Sequence, residues 1–433
     1  MTWPIRRLEE LAIPEKGAIK IGPFGSQLKR EELVDDGVHV VGIENVLSRK
    51  FDSLGDRYVS PEKFDTLKSV EVKPGDLVIT MMGTIGKVAV VPTGTSTSIM
   101  DSHLLRFRPN LALCVPEFVA WFLRSPSARA AVEDRAHGAI MKGLNSEIVR
   151  SLAIPLPPLS EQHHIVQILD KADHLRHLRG EADSKADRVL PALFIKMFGD
   201  PRANPHGWDT GVLGDAIVET QYGTSKRASS DGGGVLVLRM TNISVTGRID
   251  LTDTKHVTLD TEEVERLALR PGDILFNRTN SAELVGKTGL WNDCNQLAVA
   301  ASYLIRCRFD RAKVIPGYIW ALMNTPFMKS TLAGRARRAV GMANINATEL
   351  RGLPGLFPPL HLQESFVIRL RRLDELAGSR QVSRDSLERL FRLLMKRAFS
   401  GDLTASWRGT HLGELLHEMQ QQARAFAGPA RTE

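Results

Sequence analysis

Leu156-Pro157-Pro158-Leu159, followed by Glu161-Gln162, is answered about 200 residues later by Phe357-Pro358-Pro359-Leu360, followed by Gln363-Glu364. Each Pro-Pro-Leu step opens a long apolar-periodic run, the first reaching about Phe198 and the second about Phe399. The match extends upstream. Lys73-Pro74-Gly75-Asp76-Leu77-Val78 answers Arg270-Pro271-Gly272-Asp273-Ile274-Leu275, and Gly86-Lys87 answers Gly286-Lys287. Leu105-Arg106-Phe107-Arg108 answers Ile305-Arg306-Cys307-Arg308, and Trp3 and Trp208 open the two halves. Solenoid units run only roughly 20 to 50 residues, so this repeat is a duplicated globular domain with a duplicated helix. The fold class expected is mixed α/β (α+β), with pseudo-twofold character.

The globular parts show short apolar runs such as Val38–Ile43 and Asp76–Ile79, bounded by Gly, Pro and Asp as strands are. Pro74-Gly75-Asp76 and Pro271-Gly272-Asp273 read as turns that launch a strand. Helices are expected from Pro116 and Pro316, each with Pro in its first turn.

The run from Ser160 places Ile165, Ile168, Ala172, Leu175, Ala182, Ala186, Val189 and Leu193 at 3–4 spacing, broken by Arg179. The second run gives Phe366, Leu370, Leu373, Ala377, Leu387, Phe391, Leu394 and Ala398, with Arg380 and Arg384 on the seam. Gly180 and Gly378-Ser379 are the places where a kink is expected. Two such helices, each with one apolar stripe, are best satisfied by packing on one another as a coiled coil, the alternative being that each packs on its own domain. The expected organisation is a first globular domain at 1–155, a long helix at 156–200, a second domain at 201–355, a second long helix at 356–403 and a tail at 404–433. The domain cores are expected to form within residues 1–155 and 208–355. The tail carries a short amphipathic stretch, Leu412, Leu415, Leu416 and Met419, and then loses its pattern.

Net charge is +7, which favours an anionic partner. Cys114, Cys294 and Cys307 form no CxxC pair, so neither a zinc site nor a disulfide framework is expected. The N-terminus lacks an apolar leader and no run approaches the roughly 20 apolar residues of a membrane span, so a cytoplasmic protein is expected.

Motifs that carry chemistry are sparse. Val285-Gly286-Lys287-Thr288 lacks the upstream glycine of a P-loop, because position 281 is Ser281, and reads as a turn between strands. Asn204-Pro205-His206-Gly207 shares two residues with the Asn-Pro-Pro-aromatic loop of adenine methyltransferases but lacks the aromatic that would stack on a flipped base. His163-His164 has no flanking acid ligands. No catalytic residue and no metal ligand is expected.

Loops recurring in both halves suit nucleic acid better. Gly22-Pro23-Phe24-Gly25-Ser26-Gln27-Leu28-Lys29-Arg30 and Gln221-Tyr222-Gly223-Thr224-Ser225-Lys226-Arg227 combine glycines, which allow close approach to a phosphate, with hydroxyl donors and cations. Met141-Lys142-Gly143-Leu144-Asn145 and Gly341-Met342-Ala343-Asn344-Ile345-Asn346 occupy matching places, the latter after Arg335, Arg337 and Arg338. Asn277-Arg278-Thr279-Asn280-Ser281 is a polar run directly after a strand. Asn reads adenine bidentately and Arg reads guanine. The candidate DNA-binding residues are therefore Ser26, Lys29, Lys142, Asn145, Lys226, Arg227, Arg278, Asn280, Arg337, Arg338, Asn344 and Asn346.

Taken in this order and twice over, the motifs make the chain resemble the specificity subunit of type I restriction–modification systems, over about residues 1–408. The resemblance rests on both Pro-Pro-Leu steps, on Gly22-Pro23-Phe24-Gly25-Ser26, Pro271-Gly272-Asp273-Ile274-Leu275 and Glu283-Leu284-Val285-Gly286-Lys287, and on the closing Gly401-Asp402-Leu403. It implies two target-recognition domains that each read one half of a split, non-palindromic site in double-stranded DNA. It also implies that the two long helices form an antiparallel coiled coil that spaces them, and that two docked methyltransferase subunits bind S-adenosylmethionine and modify adenines. Restriction subunits that translocate and cleave would complete the complex. The chain itself would bind no cofactor and catalyse nothing. The competing readings are a DNA-recognition subunit of another phage-defence methyltransferase complex, a self-sufficient methyltransferase or nuclease, and a protein-binding adaptor.

Overall fold

A computed structural model describes residues 3–24, 27–47, 51–52, 55–82, 86–136, 146–230, 232–281, 284–293, 295–336 and 343–427. The chain forms two compact units. One comprises Met1–Arg179 with Ser383–Glu433, the other Gly180–Val382, so both long helices contribute a segment to each unit.

The units share a framework. In the first, a four-stranded antiparallel sheet runs Ile19–Ile21, Leu104–Phe107, Leu77–Thr80, Val88–Val90. In the second the order is Ile217–Tyr222, Leu304–Phe309, Ile274–Asn277, Thr288–Leu290. Each unit adds one parallel pair, Val38–Val41 with Ser98–Met100 and Val235–Leu238 with Ala298–Ala300. Each is closed by an antiparallel pair of first and last strands, Ile5–Arg7 with Ala153–Pro155 and Asp209–Val212 with Pro354–Phe357.

The repeated sequence motifs are structural fasteners. Gly75 and Gly272 take φ of +86° and +98°, which only glycine adopts without strain. The aspartate that follows turns inward. Asp76 accepts from Lys73 N at 2.8 Å and takes Arg108 Nε and Nη2 bidentately, both at 2.7 Å. Asp273 does the same with Arg270 N at 2.8 Å and with Arg308 at 2.9 and 3.2 Å. The hydrogen bonds that Arg108 donates to Asp76 hold its guanidinium above its ordinary pKa, so the charge is fixed in place.

The Pro-Pro-Leu step docks each long helix through a fully buried glutamine. Gln162 Oε1 accepts from Val115 N at 2.8 Å, and its Nε2 donates to Leu113 O at 3.1 Å and Pro157 O at 2.9 Å. Gln363 repeats this with Ile315 N at 2.9 Å, Lys313 O at 3.4 Å and Pro358 O at 2.7 Å. One amide thereby satisfies three backbone groups at the junction of helix and domain, where they would otherwise be buried without partners.

The first long helix runs Leu159–Asp187 and, after Arg188, Val189–Phe198. It does not break at Gly180. Its interruption at Arg188 lies one residue past Asp187, whose carbonyl Pro191 deprives of a helical N–H. The second helix, Leu360–Ser400, is unbroken through Gly378-Ser379. Within each unit the two helix segments run antiparallel. In the first, Glu161 meets Thr404 and Arg176 meets Glu388; in the second, Asp183 meets Arg380 and Phe198 meets Phe366.

The inner stripe differs from the expected seam. Leu175 is 56% exposed, as is Leu390 at 52%, while Leu169 is fully buried. The inward positions include Ile165, Leu169, Ala172, Arg176, Arg179, Asp183, Ala186, Leu190 and Phe194. Arg176 Nε and Nη2 pair with Glu388 at 2.8 and 2.6 Å, and its guanidinium lies 4.1 Å from the Phe391 ring centroid. The middle of each helix pair is thus joined by charges, and the apolar contacts lie towards the globular parts.

Those contacts correct a second expectation. The cores are not confined to residues 1–155 and 208–355. The first core includes Ile165, Val166, Leu169, Phe391, Met395 and Ala398; the second includes Phe194, Phe198, Phe366 and Leu370. Trp121 meets Phe391 edge-on at 5.9 Å, and Tyr318 stacks on Phe194 at 5.7 Å. Each such ring buried contributes about 1.5–3 kcal/mol.

The tail also differs from expectation. It forms helices Ala405–Thr410 and Leu412–Ala427, the second docked on the first unit through Leu415 and Gln422. Glu418 accepts from Ser160 N at 3.0 Å and Ser160 Oγ at 2.9 Å, satisfying a first-turn N–H of the first long helix. Gln422 Nε2 donates to Leu113 O and Pro157 O, the two carbonyls already held by Gln162. Buried Glu161 gathers Trp3 Nε1 at 3.0 Å, Thr404 Oγ1 at 2.6 Å and Arg408 Nε at 2.8 Å.

Candidate nucleic-acid interface

The sheet edge of the second unit brings together three stretches that are far apart in sequence. Thr279–Asn280 pairs antiparallel with Ala343–Asn344, with Thr279 opposite Asn344. Ile345 N donates to Arg278 O at 2.8 Å, which fixes the second stretch on the first. Tyr222 ends the neighbouring strand, and its hydroxyl oxygen accepts from Ala347 N at 3.1 Å. That bond holds the phenol ring beneath Arg278, whose guanidinium carbon lies 4.9 Å from the ring centroid. Arg278 N donates to Tyr303 O at 3.0 Å, and Tyr303 is itself 48% exposed.

The side chains of this cluster are oriented by one another. Thr279 Oγ1 donates to Asn344 Oδ1 at 3.1 Å. Asn280 Oδ1 accepts from Ser281 N at 2.9 Å. Both amide oxygens are engaged within the protein. Arg278 Nε is buried without a hydrogen-bond partner. No carboxylate pairs with Arg278 among the described residues. Among the described residues the edge therefore carries a cation without a carboxylate partner, beside neutral polar side chains.

Other candidates are placed differently. Asn346 caps the helix Ala347–Arg351, its Oδ1 accepting from Glu349 N at 2.9 Å, so its side chain serves the fold. Arg335 donates to Glu349 O and Gly352 O at 2.9 and 3.0 Å and fastens the same helix. Lys226 forms an ion pair with Glu263 at 2.5 Å, while Arg227 is exposed. In the first unit Lys29 and Arg30 are exposed beside a cleft of about 270 Å³ that Arg57 and His103 also line. Ser26, Lys142, Asn145, Arg337 and Arg338 lie outside the described residues.

Two loop readings change with the geometry. Gly22 and Gly223 are demanded by the protein's own backbone: an added Cβ would sit 1.8 Å from Asp101 O and 2.1 Å from Ala300 O. Gly286 takes φ +83° in the turn between two paired strands, and Lys287 Nζ donates to Met240 O at 2.7 Å and to Ile243 O at 2.5 Å. That lysine supports the neighbouring loop, and burial lowers its pKa. Tyr303 is not among the sequence candidates, and Tyr222 stands in the nominated Gln221–Arg227 loop without a role of its own; the signal available was their position beside the strand ends that carry the polar runs.

Burial pushes the Cys114 and Cys307 thiols up to about 12, which removes them as nucleophiles at neutral pH. Among the described residues no group of three or more His, Cys, Asp or Glu could hold a metal ion. No described helix is long and apolar enough to cross a membrane.

Residues 21–181 match the family model of the type I restriction modification DNA specificity domain. The chain is 27% identical to the type I restriction enzyme StySPI specificity subunit of Salmonella potsdam, with 94% of each chain covered. It is 26% identical to the EcoKI specificity subunit of Escherichia coli K12, covering 89% of this chain and 87% of that one. A chain from a solved structure on assembly and conformational transition of the type I R-M system shares the fold, with a TM-score of 0.57 at 18% identity over 93% of this chain and 98% of that one.

Proposed function

We propose that this chain, which belongs to the type I restriction–modification specificity-subunit family, reads a split, non-palindromic DNA site with one half-site for each globular unit. It catalyses nothing itself. Two methyltransferase subunits, carrying S-adenosylmethionine, dock on it and modify adenines within the site, and restriction subunits join them for cleavage.

The observation that carries the reading is the combination of one framework built twice with unlike sheet edges. In the second unit the edge presents Tyr222, Arg278, Thr279 and Tyr303; at the matching positions the first has Ile21, Met81, Met82 and His103. Two similar folds with different reading surfaces suit two different half-sites. The helices support the scaffolding role. Leu175, Leu178, Leu390 and Leu393 of the first unit stay between 45% and 58% exposed, as do Ile368 and Leu376 of the second at 54% and 60%. Such residues on long helices are a ready surface for partner subunits.

Mapping methylated adenines in DNA from cells that hold this chain and its methyltransferase partner tests the reading. The expected result is one motif of two unlike halves separated by unspecified base pairs. A continuous or symmetric motif would overturn it, and methylation by the chain alone would overturn its non-catalytic role.

A further inference from the structure

Three properties of Arg278 bear on what it binds. Its Nε is buried with no hydrogen-bond partner. Its guanidinium stacks on the Tyr222 ring at 4.9 Å. No carboxylate neutralises it among the described residues. The terminal Nη N–H groups, which form no hydrogen bond among the described residues, are the donors that an acceptor from outside the chain can take up. The stack restricts the guanidinium to one plane, so its fork is preorganised for a flat partner with two acceptors.

The surroundings select the partner. A phosphate site gathers several cations and backbone N–H groups. Here the neighbours among the described residues are neutral: Thr279, Asn280, Tyr303 and Asn344. The amide oxygens of Asn280 and Asn344 each accept one bond, from Ser281 N and Thr279 Oγ1, and Asn280 Nδ2 donates to Met240 Sδ at 3.9 Å, so the Asn344 amide N–H₂ is the donor left beside Arg278 among the described residues. The edge therefore offers donors. In the major groove guanine alone presents two acceptors, O6 and N7, and no donor.

From this geometry we infer that Arg278, held by Tyr222, reads a guanine in the half-site of the second unit, with the Asn344 amide as an auxiliary donor. The inference rests on the DNA-reading role proposed above. The first unit has no equivalent, because Met81 and Ile21 stand at the matching positions. The guanine requirement belongs to one half-site only.

The test uses the complex of this chain with its methyltransferase partner and a duplex carrying its mapped motif, together with duplexes substituted at one base pair at a time. The wild-type complex should discriminate one guanine in one half by roughly 5- to 150-fold, the value of a bidentate arginine contact. Arg278→Ala should lose that discrimination and leave every other position unchanged. Arg278→Lys keeps the charge without the fork and should lose most of the discrimination while retaining affinity for unrelated DNA; it also serves where the alanine variant folds poorly. Equal weakening on all duplexes, with the log–log salt slope reduced by about 0.9, would mean a phosphate contact and overturn the inference. Unaltered discrimination in both variants would overturn it as well. A wild-type complex that selects no split motif would overturn the DNA-reading role beneath it, an outcome distinct from both.

Discussion

The two units are the same device with different attachments. The Asp76–Arg108 and Asp273–Arg308 forks, the Gln162 and Gln363 locks and the close approaches at Gly22 and Gly223 occur in both. The residues that differ lie at the sheet edge and at the helix corner. Glu161 of the first unit, which binds Trp3, Thr404 and Arg408, has Leu362 as its counterpart in the second. The repeated fasteners fix the backbone, while the helix corner and the sheet edge carry divergent residues. Framework and specificity are carried by separate residues, so each can be perturbed alone.

The largest expected contrast is at the aspartate fork. Asp76→Ala strips partly buried Arg108 of its fully buried bidentate partner and should cost the first unit about 3 kcal/mol. Asp273→Ala should cost the second only about 1–3 kcal/mol, because Glu219 also pairs with Arg306 and Arg308. Hydrogen exchange of the two central sheets reads each unit separately, and equal losses would show that Glu219 adds nothing.

A smaller contrast is expected at the glutamine lock. Gln363→Ala leaves Ile315 N, Lys313 O and Pro358 O without their side-chain partner and should cost about 2 kcal/mol. Gln162→Ala should cost about 1 kcal/mol, since Gln422 keeps the two carbonyls satisfied. Removing residues 412–427 should bring the two costs together, as measured by denaturant unfolding; a persistent difference would break the comparison.

Glu418→Ala removes a first-turn hydrogen-bond partner that only the first long helix has and should cost about 1 kcal/mol in the first unit, with the exchange rates of the second unchanged. The smallest effect on folding is expected from Leu175→Asp, within about 0.5 kcal/mol because the side chain already faces outward. Its consequence should appear in assembly: co-purification with the methyltransferase partner should fall while thermal unfolding is unmoved. Normal assembly would place the docking surface elsewhere.

Much of the framework was legible because its fasteners are local and occur twice. Pro-Gly-Asp and Pro-Pro-Leu announce a turn and a helix start whatever surrounds them, and the Arg-x-Arg pattern sits at a fixed strand end. The helix seam was misread for a physical reason. Ile168, Leu175, Ala182 and Val189 follow the same period as Leu169, Arg176, Asp183 and Leu190, one residue out of phase. Arg176 and Asp183 of the true stripe are charged and read as outward-facing until Glu388 and Arg380, some 200 residues away, supply their partners. Spacing alone does not show a charge satisfied by a distant element. The tail helix was hidden likewise, since Gln422 and Glu418 look like solvent-facing residues until Leu113, Pro157 and Ser160 are brought to them. At the sheet edge the polar runs around Arg278 and Asn344 were recognisable, but their pairing through Thr279 and Ala343, and the ring of Tyr222 beneath them, exist only in the fold.

The most direct measurement of the division between framework and reading surface is the methylation motif of a chain in which residues 209–357 are replaced by a second copy of residues 4–156. The matching strand pairs Ile5–Arg7 with Ala153–Pro155 and Asp209–Val212 with Pro354–Phe357 set these boundaries. With both units carrying the first unit's edge, the two halves of the methylated site should hold the same bases. Two halves that stay unlike would show that the sequence read is not set by the globular units.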